Sequence, residues 1–122
     1  MNAKRVLVVD DALVIRQRII EIAKLSGWEI AGQASNGKQA VEMYFSQRPD
    51  LVTLDIVMPE MDGVESLKEI RSRDPEARVV MVTAINQKEK LAECIQAGAI
   101  DFIVKPFDKA TLIRFFEKAL SS

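Results

Sequence analysis

Histidine is absent from the sequence, and its 122 residues include a single cysteine. Without histidine, the chain has no imidazole that could act as a base, as a metal ligand or as a phosphohistidine. A lone cysteine excludes a disulfide within the chain and is typical of a reducing compartment. We therefore expect a cytoplasmic protein whose chemistry does not depend on histidine or on disulfides.

Long apolar runs and an excess of one charge are also missing. No apolar stretch approaches the roughly 18 residues that a membrane-spanning helix needs. Lys and Arg total 17 against 18 Asp and Glu, which gives a net charge of −1. Proteins that bind nucleic acids or membrane surfaces typically carry a basic excess, so we expect neither direct nucleic-acid binding nor membrane insertion.

The sequence does contain a regular alternation of short apolar strands and amphipathic helices. Continuous apolar runs are typical of parallel strands that are covered on both faces. The predicted strands span residues 5–9, 29–34, 50–54, 78–82 and 101–104. Helices are predicted over 12–26, after an Asn36 cap, over about 63–73, from an Asn86–Glu89 capping box to Gly98, and after an Asp108 cap.

Five such units predict an α/β fold with a doubly wound, five-stranded parallel sheet in the order 2-1-3-4-5. The elements use the whole chain, and its length fits one domain with one substantial core. We therefore predict a single domain over residues 1–122.

Carboxylates stand where two of the apolar strands end. Asp10 and Asp11 follow the first strand, and Asp55 follows the third. Ligands of open α/β sheets bind beyond the carboxyl ends of the strands, where the strand order reverses, which is here between strands one and three. Neighbouring strands lie about 4.8 Å apart, so three carboxylates there repel one another unless a cation joins them. Oxygen ligands alone favour Mg²⁺, with Mn²⁺ as the alternative.

A hydroxyl and an amine border the same predicted pocket. Thr83 follows the fourth strand, and Lys105 follows the fifth, directly before Pro106. A lysine and a metal ion neutralise the charge of a phosphoryl group, and a threonine supplies a hydrogen bond to it. Asp55 is the predicted nucleophile, because carboxylates form aspartyl phosphates.

Four motifs in this order resemble the receiver domains of response regulators, of the stand-alone, CheY-like type. They are VVDD at 8–11, LDIVMPEMDG at 54–63, VTA at 82–84 and DFIVKPF at 101–107. The similarity covers essentially the whole chain and implies the flavodoxin-like, CheY-like version of the predicted fold.

The resemblance implies a role for each residue of the predicted pocket. Asp55 is the phosphoacceptor, and the hydroxyl of Thr83 and the amine of Lys105 contact the phosphoryl oxygens. The implied Mg²⁺ ligands are the carboxylates of Asp10, Asp11 and Asp55 and the backbone carbonyl of Val57.

Two further features follow from the resemblance alone. Phe102 occupies the position of an aromatic switch, whose ring turns inward when Thr83 moves towards the phosphoryl group. The bond between Lys105 and Pro106 is expected to be cis, as it is in the family.

By the same resemblance, the protein is a two-component response regulator. It accepts a phosphoryl group from the phosphohistidine of a histidine kinase or a histidine-phosphotransfer protein and changes its protein-binding surface in response. It is expected to be a signalling switch rather than an enzyme, and a monomer or weak dimer. Chemotaxis and phosphorelay roles both stay open, as does the downstream target.

Three alternatives are weighed against this interpretation. The chain could be the receiver domain of a longer regulator with an output domain. A small aspartyl-phosphate phosphatase of the haloacid-dehalogenase kind needs a second aspartate two residues after its nucleophile, where this chain has Val57. A flavodoxin-like cofactor binder needs a phosphate-binding loop after the first strand, where Asp10 and Asp11 stand instead.

Apolar side chains near the pocket and on the last helix lead to two more expectations. Val57 and Ile85 flank the predicted phosphoryl position and cannot hydrogen-bond a hydrolytic water, so we predict slow self-dephosphorylation. The last helix carries an apolar arc that is too wide for one buried stripe. Either the helix is well packed with one exposed apolar residue, or the arc forms a partner or dimer surface near strand five. The arc consists of Leu112, Ile113, Phe115 and Phe116.

Overall fold

Five strands and five helices alternate along residues 3–121, the part of the chain that the computed structural model describes. Met1, Asn2 and Ser122, which the predicted single domain includes, lie outside the described residues. The strands are β1 Arg5–Val9, β2 Glu29–Ala34, β3 Leu51–Asp55, β4 Val79–Ala84 and β5 Asp101–Lys105. The helices are α1 Leu13–Leu25, α2 Gly37–Gln47, α3 Gly63–Arg73, α4 Lys88–Gln96 and α5 Lys109–Leu120.

The strands form one parallel sheet in the order β2-β1-β3-β4-β5, which confirms the predicted topology. Helices α1 and α5 contact each other on one face of the sheet, and α2, α3 and α4 form the layer on the other face. Strand order reverses between β1 and β3, so the residues that follow these two strands meet at one crevice.

Two apolar cores, one on each face, account for the continuous apolar runs of the strands. In β1, Leu7 and Val9 belong to the core under α2, α3 and α4, whereas Val6 and Val8 belong to the core under α1 and α5. All four side chains are buried. Burying one such side chain contributes about 1.5–3 kcal/mol, so this alternation holds the sheet between its helices.

Side-chain caps fix the first turns of two helices as predicted. The Asn36 side chain accepts a hydrogen bond from the Gln39 amide at 2.8 Å at the start of α2. The Asp108 side chain accepts one from the Thr111 amide at 2.7 Å at the start of α5. Each cap satisfies an amide that would otherwise lack a partner in the first helical turn.

The predicted capping box at α4 is wrong. Its helix begins after Gln87, whose side chain makes no capping bond. The Gln87 amide instead donates to the Ala84 carbonyl at 3.2 Å, and the resulting turn includes Asn86. β4 also extends to Ala84, two residues beyond its predicted end, so the connection to α4 is shorter than expected.

The apolar arc of α5 packs against the core under α1 and α5. Leu112, Phe116 and Ala119 are buried there, and Ile113 and Phe115 are partly buried against the same cluster. Two of the four arc residues, Leu112 and Phe116, are therefore buried and two are only partly buried, so a partner surface near β5 stays a prediction. None of the described helices is both long enough and apolar enough to span a membrane.

Candidate metal and phosphoryl-acceptor site

Three carboxylates converge at the crevice between β1 and β3. Val9 pairs with Leu54 in the sheet, so Asp10 and Asp55 follow neighbouring positions of the two strands. One carboxylate oxygen each from Asp10, Asp11 and Asp55 lies within 4.8 Å of the others. Asp10 and Asp55 are buried and Asp11 is exposed, so the cluster opens to solvent on one side.

Asp10 is held through both its side chain and its backbone. Its Oδ1 accepts a hydrogen bond from the Ala12 amide at 2.9 Å. Its own amide donates to the Ala34 carbonyl of β2 at 3.1 Å, and its carbonyl accepts from the Arg16 guanidinium at 2.7 Å. These bonds fix the direction in which the carboxylate points.

Arg16 is a residue that the sequence analysis missed. Its guanidinium donates to the Asp10 carbonyl and to the side-chain oxygen of Gln33 in β2 at 2.9 Å, so it ties α1 to two strands. The sequence gives no local signal for these contacts, because one acceptor is a backbone carbonyl and the other lies in β2. The Arg16 guanidinium bonds to the backbone carbonyl of Asp10 rather than to the carboxylate.

The Lys105 ammonium lies between two of the carboxylates. Its Nζ donates to Asp10 Oδ2 at 2.6 Å and lies 3.5 Å from Asp55 Oδ2. Lys105 ends β5, and its bond to Pro106 is cis, as the resemblance implies. The lysine therefore reaches across from β5 to the crevice between β1 and β3.

The pKa of Asp55 is raised from 3.8 to about 6, chiefly by burial and then by repulsion from the Asp10 carboxylate. The attraction of the Lys105 ammonium opposes this rise. One ammonium therefore does not compensate the cluster fully, and any cation that enters it gains attraction from several carboxylates at once. Asp55 is still largely ionised at pH 7, as a nucleophile must be.

Thr83 lies beside the cluster but its hydroxyl points elsewhere. Asp55 pairs with Val82 across the sheet, and Thr83 is the next residue of β4. The Thr83 side chain is buried, and its hydroxyl donates to the Ala84 carbonyl at 3.0 Å. The predicted contact with a phosphoryl group would need the hydroxyl to give up this bond.

Phe102 stands next to an apolar cavity on the same side of the sheet as Thr83. The ring is 46% exposed. The cavity has a volume of about 220 Å³, and its walls include Thr83, Leu91, Phe102 and Val104. This arrangement provides the space that an inward turn of the ring would need.

The loop from β3 to α3 contains Val57, which the resemblance implies as a carbonyl ligand. Its side chain is 50% exposed, and Ile85 in the neighbouring β4–α4 turn is 75% exposed. At the end of the loop, a Cβ on Gly63 would lie 2.1 Å from the carbonyl oxygen of Asp55. Only glycine therefore allows α3 to begin this close to the acceptor strand.

A parallel α/β sheet with buried carboxylates and a lysine at its switch point suits a site for a cation and a phosphoryl group. Comparison with known proteins identifies the particular family. A profile of the response regulator receiver domain matches residues 6–117, and the chain belongs to this family.

Relatives from several organisms match nearly the whole chain. The chemotaxis protein CheY of Bacillus subtilis is 48% identical over 119 residues, which are 98% of this chain and 99% of that protein. CheY of Thermotoga maritima is 46% identical over 115 residues, with 94% and 96% covered. A chain in the crystal structure of the CheX–CheY–BeF3–Mg²⁺ complex from Borrelia burgdorferi matches with a TM-score of 0.86 at 37% identity, with 91% of this chain and 84% of that chain covered.

These findings confirm the predicted family, fold and class of function. The protein is a CheY-like response regulator of two-component signal transduction. Its acidic cluster is compatible with Mg²⁺.

Proposed function

We propose that Asp55 accepts a phosphoryl group from a phosphohistidine on a partner protein, in a reaction that depends on Mg²⁺. One observation carries the proposal. The carboxylates of Asp10, Asp11 and Asp55 come within 4.8 Å of one another, with the Lys105 ammonium 2.6 Å from Asp10 and 3.5 Å from Asp55. This set combines a nucleophile, a cation site and a fixed positive charge.

The chemical step is a direct transfer between two proteins. A carboxylate oxygen of Asp55 forms a new bond to phosphorus while the P–N bond of the donor phosphohistidine breaks. The bonding electrons pass to the donor imidazole, and the product on this chain is an aspartyl phosphate. Since the chain has no histidine, a phosphohistidine donor lies on another protein, which we propose to be a histidine kinase or a histidine-phosphotransfer protein.

The ligand set fits a hard divalent cation. Among the described residues, the cluster consists of three carboxylates, two buried and one exposed. Such oxygen donors suit Mg²⁺, and Mn²⁺ also accepts them. Asp10, Asp11 and Asp55 would hold the ion, with the carbonyl of Val57 as a further ligand. When bound, the cation offsets the charge of the carboxylates and of the transferred group.

Lys105 and Thr83 are proposed to hold the phosphoryl oxygens. The Lys105 ammonium already lies 3.5 Å from Asp55, so a phosphoryl group on that carboxylate comes within its reach. The Thr83 hydroxyl would exchange the Ala84 carbonyl for a phosphoryl oxygen. Phe102 would then turn into the adjoining cavity of about 220 Å³, which changes the surface offered by β5.

The partners and setting follow from this chemistry. We propose a signalling switch rather than an enzyme, a single receiver domain over residues 1–122, and a monomer or weak dimer in the cytoplasm. The match to CheY relatives over 96–99% of their length supports a receiver domain of the CheY kind. A phosphatase is disfavoured because Val57 stands where the acid would be needed. The downstream target is a protein.

Intact-mass spectrometry after incubation with acetyl phosphate tests the proposal. The wild type should gain the mass of one phosphoryl group with Mg²⁺ and none with a chelator, and Asp55→Asn should gain none. Asp50→Asn is a matched control, because Asp50 stands just before the opposite end of the same strand, and it should label like the wild type. Labelling of Asp55→Asn, or no labelling of the wild type, contradicts the assignment.

A further inference from the structure

The first residue of α2 contacts the loop that joins β3 to α3. The Gly37 amide donates a hydrogen bond to the Met61 carbonyl at 2.9 Å. The amides of a first helical turn have no partner within the helix, so this carbonyl satisfies one of them. The same loop contains Val57, the proposed carbonyl ligand, and it begins directly after Asp55.

No side chain fits at Gly37. A Cβ there would lie 2.0 Å from the Met61 carbonyl oxygen and 2.1 Å from Ser66 Oγ. The first of these atoms belongs to the backbone, so it can move only if the loop moves. The glycine is therefore required for the close approach of the helix to the loop rather than for an unusual backbone conformation.

Ser66 completes the contact from the α3 side. It is buried, and its hydroxyl donates to the Asp62 carbonyl at 2.9 Å. The loop is closed at its base by the Gly63 amide, which donates to the Ile56 carbonyl at 2.7 Å. The Gly63 amide thus closes the base of the loop, and Ser66 and Gly37 hold the adjoining carbonyls of Asp62 and Met61.

We propose that Gly37 and Ser66 are positioning residues for the metal site. They hold the β3–α3 loop against α2, which sets the position of the Val57 carbonyl relative to the carboxylates. Neither residue touches the proposed ion, so both act through the loop. The inference rests on the proposed function of the acidic cluster.

Four proteins test the proposal: the wild type, Gly37→Ala, Ser66→Ala and Gly32→Ala. Gly32 is a matched control because a Cβ there also lacks room against α2. That Cβ would lie 2.4 Å from Met43 Cε, the flexible end of a side chain, and it lies in β2, outside the β3–α3 loop. For each protein, the Mg²⁺ dissociation constant is measured by calorimetry and the free energy of unfolding by urea titration.

Gly37→Ala should weaken Mg²⁺ binding about tenfold, as is usual when a residue that orients a metal ligand is changed. Ser66→Ala should weaken it by a smaller factor, and Gly32→Ala should bind like the wild type. Labelling by acetyl phosphate in Gly37→Ala should need more Mg²⁺ yet reach the wild-type extent at saturation. A purely structural role would not separate the Mg²⁺ concentration that labelling requires from the extent of labelling at saturation.

Wild-type Mg²⁺ affinity in folded Gly37→Ala overturns the proposal. So does a loss of affinity that follows the loss of stability equally in Gly32→Ala. If Gly37→Ala does not fold, Ser66→Ala decides alone, and an unchanged affinity in that variant overturns the proposal. A wild type that binds no Mg²⁺ would instead contradict the proposed function, so the two failures are distinguishable.

Discussion

Charged side chains are exposed at the amino end of the sheet but buried and clustered at its carboxyl end. At the amino end, the Arg5 amide donates to the Asp50 carboxylate at 2.8 Å, and the Arg5 guanidinium donates to the Gln47 carbonyl at 2.7 Å, both exposed to water. At the carboxyl end, Asp10 and Asp55 are buried and share one ammonium with Asp11 nearby. At the amino end, the polar groups are solvated and hydrogen-bonded. At the carboxyl end, the carboxylates repel one another, and a cation can relieve this repulsion.

This difference shows that the residues that stabilise the fold are not the residues that form the candidate site. The apolar side chains of β1 and β3 stabilise the fold along the whole sheet. The carboxylates that follow them oppose folding, because buried like charges repel. Because the repulsion between the carboxylates lowers the stability of the fold, a cation that binds the site and relieves this repulsion is favoured.

The largest expected effect comes from removing the shared ammonium. Lys105→Met leaves the Asp10 carboxylate buried without its ion-pair partner. We expect a loss of about 3 kcal/mol in the free energy of unfolding without Mg²⁺, because an unpaired buried charge is strongly destabilising. Urea unfolding in a chelator measures this loss.

Lys68→Met is the control for that change. Lys68 pairs with Glu93 on the surface, and both side chains are about half exposed. Its loss should cost much less than the loss of Lys105, as for other exposed pairs. Equal losses in the two variants would contradict the contrast between buried and exposed charge.

The next largest expected effect is an increase in the free energy of unfolding, in the variant Asp55→Asn. Because the pKa of Asp55 is raised to about 6, the folded state binds a proton more tightly than the unfolded state does. This group therefore favours folding at low pH, and its contribution is lost as pH rises from about 4 to 6. At pH 7 without Mg²⁺, Asp55→Asn should be more stable than the wild type by about 1–2 kcal/mol, since it removes the repulsion and also the attraction to Lys105.

Unfolding experiments at several pH values check the sign of that prediction. The advantage of Asp55→Asn should shrink towards zero as pH falls to about 4, where the wild-type carboxyl is protonated in the folded state. Asp50→Asn should show no stabilisation at pH 7, because Asp50 accepts the Arg5 amide at the solvated end. A destabilised Asp55→Asn at neutral pH would show that the cluster is not repulsive.

The smallest expected effect concerns the lifetime of the phosphoryl group. Val57 and Ile85 are exposed and apolar in the segments that follow β3 and β4, and neither side chain can hydrogen-bond a water molecule. Val57→Asn should speed self-dephosphorylation by roughly threefold, which is less than about 1 kcal/mol in the barrier. The decay of the label is followed by mass spectrometry, with Val57→Leu as the apolar control, and equal lifetimes in all three proteins would refute the prediction.

Much of the fold was predictable because its signals are local. Apolar runs predict the strands, and Asn36 and Asp108 predict the helix caps that the structure contains. The start of α4 was not predictable, because Asn86 is used in a turn closed by the Gln87 amide and the Ala84 carbonyl. The competition between a turn and a cap is decided by how β4 ends in the sheet.

The position of the acidic cluster was also predictable, since carboxylates follow strands that the topology makes neighbours. The residues that support the acidic cluster could not be predicted from the sequence. Arg16 reaches the Asp10 carbonyl, and Gly37 reaches the Met61 carbonyl, across contacts between separate elements. Such contacts leave no pattern in the sequence, because the acceptor is a backbone carbonyl, which every residue type has.

The central claim is that a cation relieves the repulsion at the carboxyl end of the sheet. Its most direct test is the free energy of unfolding at pH 7 with and without Mg²⁺, in the wild type and in Asp55→Asn. The wild type should gain about 1.4 kcal/mol at a Mg²⁺ concentration of about ten times its dissociation constant, and Asp55→Asn should gain less. A wild-type stability that Mg²⁺ leaves unchanged would contradict the account.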